Sequence, residues 1–276
     1  MLDINVAIQW WLGDLSKDFE NNKKVLADLD LETETRFDNE IKDYLSKNPS
    51  GIGHGFDHHQ RVRTFTTIIG VVNGLDRESI QICRYGALLH DISKEVGKGG
   101  KGPHNWNKLR KLTRDLMERA KIENRYTPRV IDVIEEHHED DPSNRSEIGN
   151  VLYEGDTADI THLPRCFTVA ESLSSMYPTM DRIIDDYNHY QVNPSTPITS
   201  PGKRMFKVGK KWAIPTLYKL KDKLGDSNMK PYFPFLGFKW RENMNEAPEI
   251  LRPTLETFEK TIPNYEISLY FMFCRS

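Results

Sequence analysis

The chain has 276 residues and a net charge of −3, and 29% of its residues are charged. This length suffices for one large domain with its own core, and the charge argues against a nucleic-acid partner, which usually meets a strongly basic domain. No apolar run approaches the roughly 20 residues that cross a bilayer, and residues 1–12 lack the features of a signal peptide. The three cysteines form no CxxC pair, so neither a disulfide framework nor a zinc ribbon is indicated. We therefore expect a cytoplasmic protein without a membrane partner.

Two amphipathic helices are predicted in the first fifty residues. Residues 4–29 have helical character, and Phe37, Ile41 and Leu45 mark one face of a second helix. The run Asn48-Pro49-Ser50-Gly51 ends that helix, because proline and glycine interrupt helical structure. We assign residues 1–50 to N-terminal helices that pack on the core.

The next two predicted helices each place polar groups on an apolar face. The first has a stripe at alternating steps of four and three residues, which comprises His58, Val62, Phe65, Ile69 and Val72. Asp76 is a candidate N-cap for the second helix. On that helix His90 and Asp91 continue the face of Ile80 and Ala87. Both helices thus turn ionisable side chains towards the interior.

Two helices further along the chain repeat this arrangement. Thr127 and Pro128 form a helix-start signal, and the helix that follows carries His137 on the face of Val130. Asp156 then continues the apolar stripe of another helix at helical spacing. We expect the main helical domain to extend over residues 51–190.

The C-terminal part has a different texture, and we treat residues 191–276 as an extension. Residues 193–202 are rich in Pro, Ser and Thr and predict a loop. Residues 205–214 suggest a hairpin that turns at Gly209-Lys210, and the alternating aromatic run 265–273 suggests a terminal strand. The predicted fold is therefore mostly α, with a small α+β or irregular C-terminal extension.

The distribution of histidine is the first indication of a metal site. Eight of the nine histidines lie between His54 and His162. A buried, unpaired carboxylate is very costly, so core-facing Asp91 and Asp156 require a partner or a cation. Together with His58 and His90 they form a nitrogen and oxygen set that suits Mn, Fe, Co, Ni, Zn or Mg. Each group taken alone also fits an ordinary buried hydrogen bond or a helix cap, so the prediction depends on the combination.

Three motifs in this region resemble the HD superfamily of metal-dependent phosphohydrolases. The first is Asp57-His58-His59-Gln60-Arg61-Val62, and the second is the doublet in Gly86-Ala87-Leu88-Leu89-His90-Asp91-Ile92-Ser93-Lys94. The third is Gly155-Asp156-Thr157-Ala158-Asp159, in which a second Asp follows after three residues. Order and context agree at all three points, over about residues 50–165. The resemblance implies an HD-type helical bundle.

The resemblance also implies a function and roles for individual residues. It implies hydrolysis of a small phosphate ester, such as a nucleotide, with a divalent metal held by His58, His90, Asp91 and Asp156. Asp91 would also orient the nucleophile. Lys94 and Arg61 would offset charge on the phosphoryl oxygens, with an ion pair to a nearby carboxylate as the alternative. Asp159 would hold a ligand or a basic group.

The number of metal ions, one or two per chain, depends on the histidines between the doublet and the last motif. Two-metal members of the superfamily carry extra histidines there, and His104, His137 and His138 fall in this interval. We expect His137 to be the better ligand of the pair, because it shares a face with Val130. By contrast, we expect His54 and His59 to face solvent.

Two other functions stay open at this point. Some HD-type proteins are di-iron oxygenases, which would need His104 and His137 or His138 as ligands. A non-catalytic module that senses a nucleotide would use the same pocket without turnover. The oligomeric state is not indicated by the sequence.

Overall fold

The computed structural model describes residues 4–27, 29–48, 54–93, 105–161, 163–172, 179–192, 198–237 and 240–261. Every regular element in these ranges is a helix, and short 3-10 turns join several of them. The α-helices are α1 (Ile4–Leu12), α2 (Ser16–Asn22), α3 (Leu31–Lys47), α4 (Phe56–Val72), α5 (Arg77–Leu89), α6 (Trp106–Arg119), α7 (Tyr126–Glu136), α8 (Glu147–Ile160), α9 (Leu163–Ser172), α10 (Met180–Val192), α11 (Ser200–Leu224), α12 (Phe233–Leu236), α13 (Trp240–Asn243) and α14 (Arg252–Thr261). The mostly α prediction is confirmed. Within the described ranges, no helix is both long and apolar enough to cross a bilayer.

Short polar side chains begin several of these helices, as the sequence predicts for one of them. Asp76 accepts a hydrogen bond from the Ser79 amide at 2.8 Å, which confirms it as the cap of α5. Ser146 caps α8 in the same way through the Gly149 amide. Helix α7 starts at Tyr126, two residues before the predicted first residue Pro128, so the predicted cap Thr127 lies inside the helix. Pro128 stands in the first turn, where its missing N–H is not needed.

Helix α4 is the centre of the bundle and packs mainly against α5 and α8. Nearly all of it is buried, from His58 to Val71. Helix α8 comes closest to it at Gly155, where an added Cβ would overlap the side chain of Thr66 and lie 2.9 Å from its amide nitrogen. Absence of a side chain at Gly155 therefore brings the following turn of α8, with Asp156, directly against α4.

The N-terminal helices are joined to this centre by apolar packing and by buried charge. Arg84 on α5 binds the Glu34 carboxylate of α3, with 2.8 Å between Arg84 Nε and Glu34 Oε1. Arg63 on α4 binds Glu34 and Asp38 of the same helix. Apolar side chains from Ile8 to Phe258 belong to one connected core. The domain boundaries drawn from the sequence stay a prediction.

The described part of the C-terminal extension is helical. The predicted hairpin at residues 205–214 is wrong, because these residues lie inside the 25-residue helix α11. Met205, Gly209 and Ala213 recur at steps of four and are buried, which is a helical and not an alternating pattern. The strand predicted at residues 265–273 lies outside the described residues.

Candidate metal centre

Four side chains from two helices and a turn meet at one point inside the bundle. The Nε2 atoms of His58 and His90 are 3.1 Å apart. Asp91 Oδ2 lies 3.6 Å from His58 Nε2 and 3.3 Å from His90 Nε2. Asp156 Oδ1 lies 3.5 Å from His58 Nε2 and 3.7 Å from His90 Nε2. The structure thus brings together the four residues that the sequence predicts as ligands, although Asp156 is far from the doublet along the chain.

These spacings fit a metal ion bound between the four atoms. Ligands about 2.1 Å from a metal lie roughly 3.0 Å apart at right angles and roughly 3.4 Å apart in a tetrahedron. The five separations that involve a histidine Nε2 atom fall between 3.1 and 3.7 Å. No thiolate takes part, so the donor set suits the borderline and hard divalent metals.

The two histidines are oriented so that both unprotonated nitrogens face the centre. His58 Nδ1 is 2.8 Å from Asp159 Oδ2, and His90 Nδ1 is 2.8 Å from the carbonyl oxygen of Ala87. Both acceptors favour the proton on Nδ1, which leaves a lone pair on each Nε2, while at His58 the Arg165 guanidinium also approaches Nδ1, at 2.9 Å, and favours the other tautomer. Two lone pairs at 3.1 Å repel each other unless a cation lies between them. Either a proton or a metal must therefore occupy this position.

Local structure explains how His90 and His137 come to point inward. Each follows the last residue of a helix, α5 and α7 respectively. Each Nδ1 contacts the carbonyl oxygen three residues back, which is Ala87 for His90 and Ile134 for His137, at 2.8 and 2.6 Å. The last turn of a helix has carbonyl groups without intrahelical partners, and these histidines use them. The ring orientation is thus set by the helix end.

A second set of contacts extends the centre on the side of His137. His137 is buried, and atoms of His90, Asp91 and His137 lie within 4.8 Å of one another. No hydrogen-bond partner of His137 Nε2 occurs in the described part of the chain. A buried histidine nitrogen without a hydrogen-bond partner, next to the Asp91 carboxylate, is suited to bind a second metal ion. His138 is half-buried and packs between His137 and Trp106.

Two histidines that we expected to face solvent are buried in the site instead. His54 is 6% exposed, and its Nε2 lies 3.4 Å from Asp91 Oδ2. His59 is fully buried, with its ring centroid 5.1 Å from that of His90. The expectation failed for His59 because α4 is surrounded by other helices, so even the positions beside its main stripe are interior. Sequence periodicity detects one buried face and misses a helix that is buried on several sides.

Behind His58 lies a buried cluster of one carboxylate and two arginines. Arg61 Nε is 2.6 Å from Asp159 Oδ1, and Arg165 Nη1 is 2.8 Å from Asp159 Oδ2. Asp159 therefore contacts the predicted ligand His58 and two basic groups. Arg61 forms the ion pair that was the alternative to phosphate contact, and its contact with substrate stays a prediction. Lys94 and His104 lie outside the described residues.

Arg165 is the residue that sequence analysis missed. It is buried, and its Nη1 lies 3.3 Å from Asp156 Oδ1 as well as near Asp159. It belongs to α9, which begins after the turn that ends α8, and no spacing rule connects it to the other motifs. Two acidic residues three positions apart, Asp156 and Asp159, were the one signal that a buried cation was needed.

The electrostatics separate the side chains into charged and neutral groups. Burial lowers the pKa of His137 to about 3 and also holds the pKa of His58 below its usual range. Burial would lower the pKa of His90 too, but the carboxylates of Asp91 and Asp156 outweigh it and raise the pKa to about 9. Burial likewise opposes the charge of Asp156, yet His90 and Arg165 hold its pKa well below the usual range. Without metal, His90 carries the proton between the two Nε2 atoms.

Asp156 marks the accessible side of the centre. Its side chain is 22% exposed, whereas those of His58, His90 and Asp91 are fully buried. We expected a core-facing carboxylate, and the structure places it at the border between the core and solvent. Access to the centre is therefore next to Asp156.

Residues 55–176 match the family model described as the HD domain. No curated protein matches the chain, and no solved structure matches it. The matched range contains all four predicted ligand residues together with His137, Asp159 and Arg165. Residues 55–176 are therefore identified as an HD domain. Its buried histidines and aspartates form groups that could hold a divalent metal.

Proposed function

We propose that this chain is a metal-dependent phosphohydrolase that acts on a nucleotide or another small phosphate ester. The observation that carries the proposal is the four-atom centre of His58, His90, Asp91 and Asp156, which is buried on three sides and accessible beside Asp156. A buried metal with one accessible side is the arrangement of a catalytic site, whereas a structural site is closed. The HD-domain match supports the same class of reaction.

Some of these side chains would bind the metal, and others would fix the orientation of its ligands. His58, His90, Asp91 and Asp156 would bind it, and when bound it would act as a Lewis acid on a phosphate oxygen and lower the pKa of water. Asp91 Oδ2 lies within 3.6 Å of three histidine nitrogens, so it is the candidate to orient the nucleophile. Asp159 would keep His58 in the correct tautomer through its 2.8 Å contact. The proposed phosphate contact of Lys94 rests on the sequence alone.

The test is a turnover screen of purified protein against nucleotides and simple phosphate monoesters and diesters. Each substrate is tested with Mn, Fe, Co, Ni, Zn and Mg in turn, and with chelator. We expect at least one metal to support hydrolysis that chelator abolishes. The double change His90→Ala with Asp91→Ala serves as the inactive control, because it removes two ligands at once. Turnover in that variant within a few-fold of wild type would refute the proposed mechanism.

The ligand atoms of His90, Asp91 and His137 favour a site with two metal ions per chain. His90, Asp91 and His137 offer a second set of three ligand atoms, and His59 belongs to none of the ligand groups. We expect His137→Ala to lower the bound metal per chain, and His59→Ala to leave it unchanged. Elemental analysis of both variants beside wild type measures this. Equal metal content in all three would establish a single-metal site.

A di-iron oxygenase is the second candidate, because the same His137 group suits two irons. It predicts substrate loss that requires oxygen, which the screen detects when it is run with iron under air and under nitrogen. Nucleotide binding without turnover under any metal would instead support a sensing module.

A further inference from the structure

Helix α11 concentrates positive charge that the net charge of the whole chain conceals. It contains eight basic residues and one acidic residue, in a chain whose net charge is −3. Five of the eight fall within nine residues, and we call them the basic face: Lys203, Arg204, Lys207, Lys210 and Lys211. At 100° per residue they cover about 120° of the helix circumference. Four of the five are exposed, and Lys210 is half-buried with its ammonium 4.7 Å from the Phe206 ring.

The positive charges of the basic face repel one another when no anionic partner is bound. Lys203, Lys207 and Lys211 follow one another at steps of four residues, so like charges stand next to each other on one side of the helix. Such like-charge pairs destabilise a helix. Lys203 is close enough to Glu154 to oppose the rise that burial causes in the pKa of that carboxyl, whereas Lys207 and Lys211 form no ion pair within the ranges described. A run of repulsive charges on a rigid helix is the surface that a polyanion would stabilise.

This face points away from the metal centre. Helix α11 contacts α8 at two positions, where the Glu154 carboxylate accepts a hydrogen bond from the Thr199 amide and where Gly209 packs on Thr161. By helical rotation, Glu154 and Thr161 lie on the side of α8 opposite to Asp156 and Asp159. The basic face in turn lies on the side of α11 opposite to Gly209. A ligand on it would therefore not be the group that reacts at the metal.

The rest of α11 restricts what the basic face can bind. Its apolar side, which includes Met205, Ala213 and Leu217, is fully used in the core. An amphipathic helix that inserts into a membrane needs a continuous exposed apolar side, whereas the one large apolar side chain that α11 exposes in the described residues is Tyr218. Nine residues along α11 are buried, so the helix is packed into the bundle and does not protrude as a recognition helix in a DNA groove does. What fits is a chain of phosphates that follows the row Lys203, Lys207 and Lys211, whose Cα atoms rise about 6 Å per step.

We propose that the basic face of α11 is a docking surface for the phosphate backbone of a single-stranded nucleic acid, separate from the metal centre. Contacts of this kind are electrostatic and independent of base sequence. The net charge of the whole chain indicated no nucleic-acid partner, because the positive charge of α11 is outweighed by acidic residues in the rest of the chain. The docking surface does not depend on the chemistry at the metal.

The test compares two charge reversals of equal size. Lys207→Glu with Lys211→Glu reverses the centre of the basic face, and Lys108→Glu with Lys111→Glu reverses two exposed lysines of α6 at similar spacing. Fluorescence anisotropy with a labelled single strand of about 20 nucleotides measures affinity over a range of salt concentrations. We expect at least a tenfold weaker affinity, and a log–log salt slope smaller by about 1.4, for the α11 variant alone. Circular dichroism checks that both variants are folded.

Three results would overturn the proposal. They are an equal loss in the two variants, no binding by wild type at low salt, and binding to vesicles with anionic lipid but not to the oligonucleotide. The turnover screen on small substrates separates this test from that of the metal centre, because the α11 variant should keep wild-type turnover there.

Discussion

At the residue scale, Asp156 combines two environments in one carboxylate. It faces His58 and His90 inside the centre, it approaches Arg165, and it is the one ligand with substantial exposure. From the sequence we expected Asp156 to lie in the core, with a metal ion as the main positive charge that compensates it. In the structure two cationic groups, Arg165 and protonated His90, also compensate it. The charge of Asp156 therefore destabilises the metal-free protein less than an uncompensated buried carboxylate would.

We expect Asp156→Asn to weaken metal binding more than it weakens the fold. Losing a charged ligand should lower metal affinity beyond the roughly 10- to 100-fold that an outer hydrogen bond contributes. The metal-free variant should melt only slightly below metal-free wild type, because Arg165 keeps its contact with Asp159. Metal titration by calorimetry and thermal melts with chelator measure the two effects. Unchanged metal affinity would remove Asp156 from the ligand set.

The raised pKa of His90 gives metal-free protein a distinct pH dependence. His90 titrates near pH 9 in the folded chain and near 6.5 when unfolded, so the folded state binds the extra proton between these values. Its contribution is complete below pH 6.5 and is lost as pH rises through 9. We expect chelated wild type to lose on the order of 3 kcal/mol of unfolding free energy between pH 6.5 and 9. Urea unfolding at several pH values measures it.

The control for this pH dependence is His90→Gln, which cannot take up the proton. The chelated variant should be less stable than wild type at pH 6.5 and should lose much less stability as pH rises. A wild type whose stability rises over the same range would contradict the assignment of the proton to His90.

At the element scale, the contact between α4 and α8 determines the geometry of the centre. Gly155 lets the two backbones approach, and the next residue is a ligand. We expect Gly155→Ala to push α8 away from α4 and to lower metal affinity by at least tenfold. The matched control is Gly70→Ala, whose added Cβ would meet the end of the Ile80 side chain, 2.7 Å away, on the contact between α4 and α5.

Both glycine variants should lose stability, because both crowd a buried helix contact. Only Gly155→Ala should change metal affinity out of proportion to its melting temperature. If the two variants lose metal affinity in proportion to their stability, Gly155 has a general packing role and does not position Asp156.

Much of this architecture is predictable from the chain because it is local. Apolar stripes and caps such as Asp76 locate the helices, and the positions of His58, His90 and His137 on those stripes indicate inward side chains. What the sequence does not indicate depends on neighbours that are distant along the chain. His59 and His54 are buried by other helices, and Arg165 reaches the centre from α9. The long helix α11 was missed because two glycines and two prolines within it resemble turn signals, although packing on Thr161 of α8 requires a small residue at Gly209.

At the scale of the whole molecule, the proposed metal joins elements that are separate in sequence. Its ligands come from α4, from the turn after α5 and from α8, and these helices carry most of the core. Metal binding to the folded state alone stabilises the entire fold by mass action. Loss of metal should therefore lower the melting temperature of the protein as a single unit.

The metal content of the purified protein is the most direct test of the proposed centre. We expect elemental analysis of wild type to find one to two equivalents of a divalent metal per chain, or metal-free protein to bind this amount on titration. We expect the variant with His90→Ala and Asp91→Ala to bind none while it keeps its helical circular dichroism. A folded wild type that neither retains nor takes up any divalent metal, or a double variant that binds as much as wild type, would show that these four residues do not form a metal site.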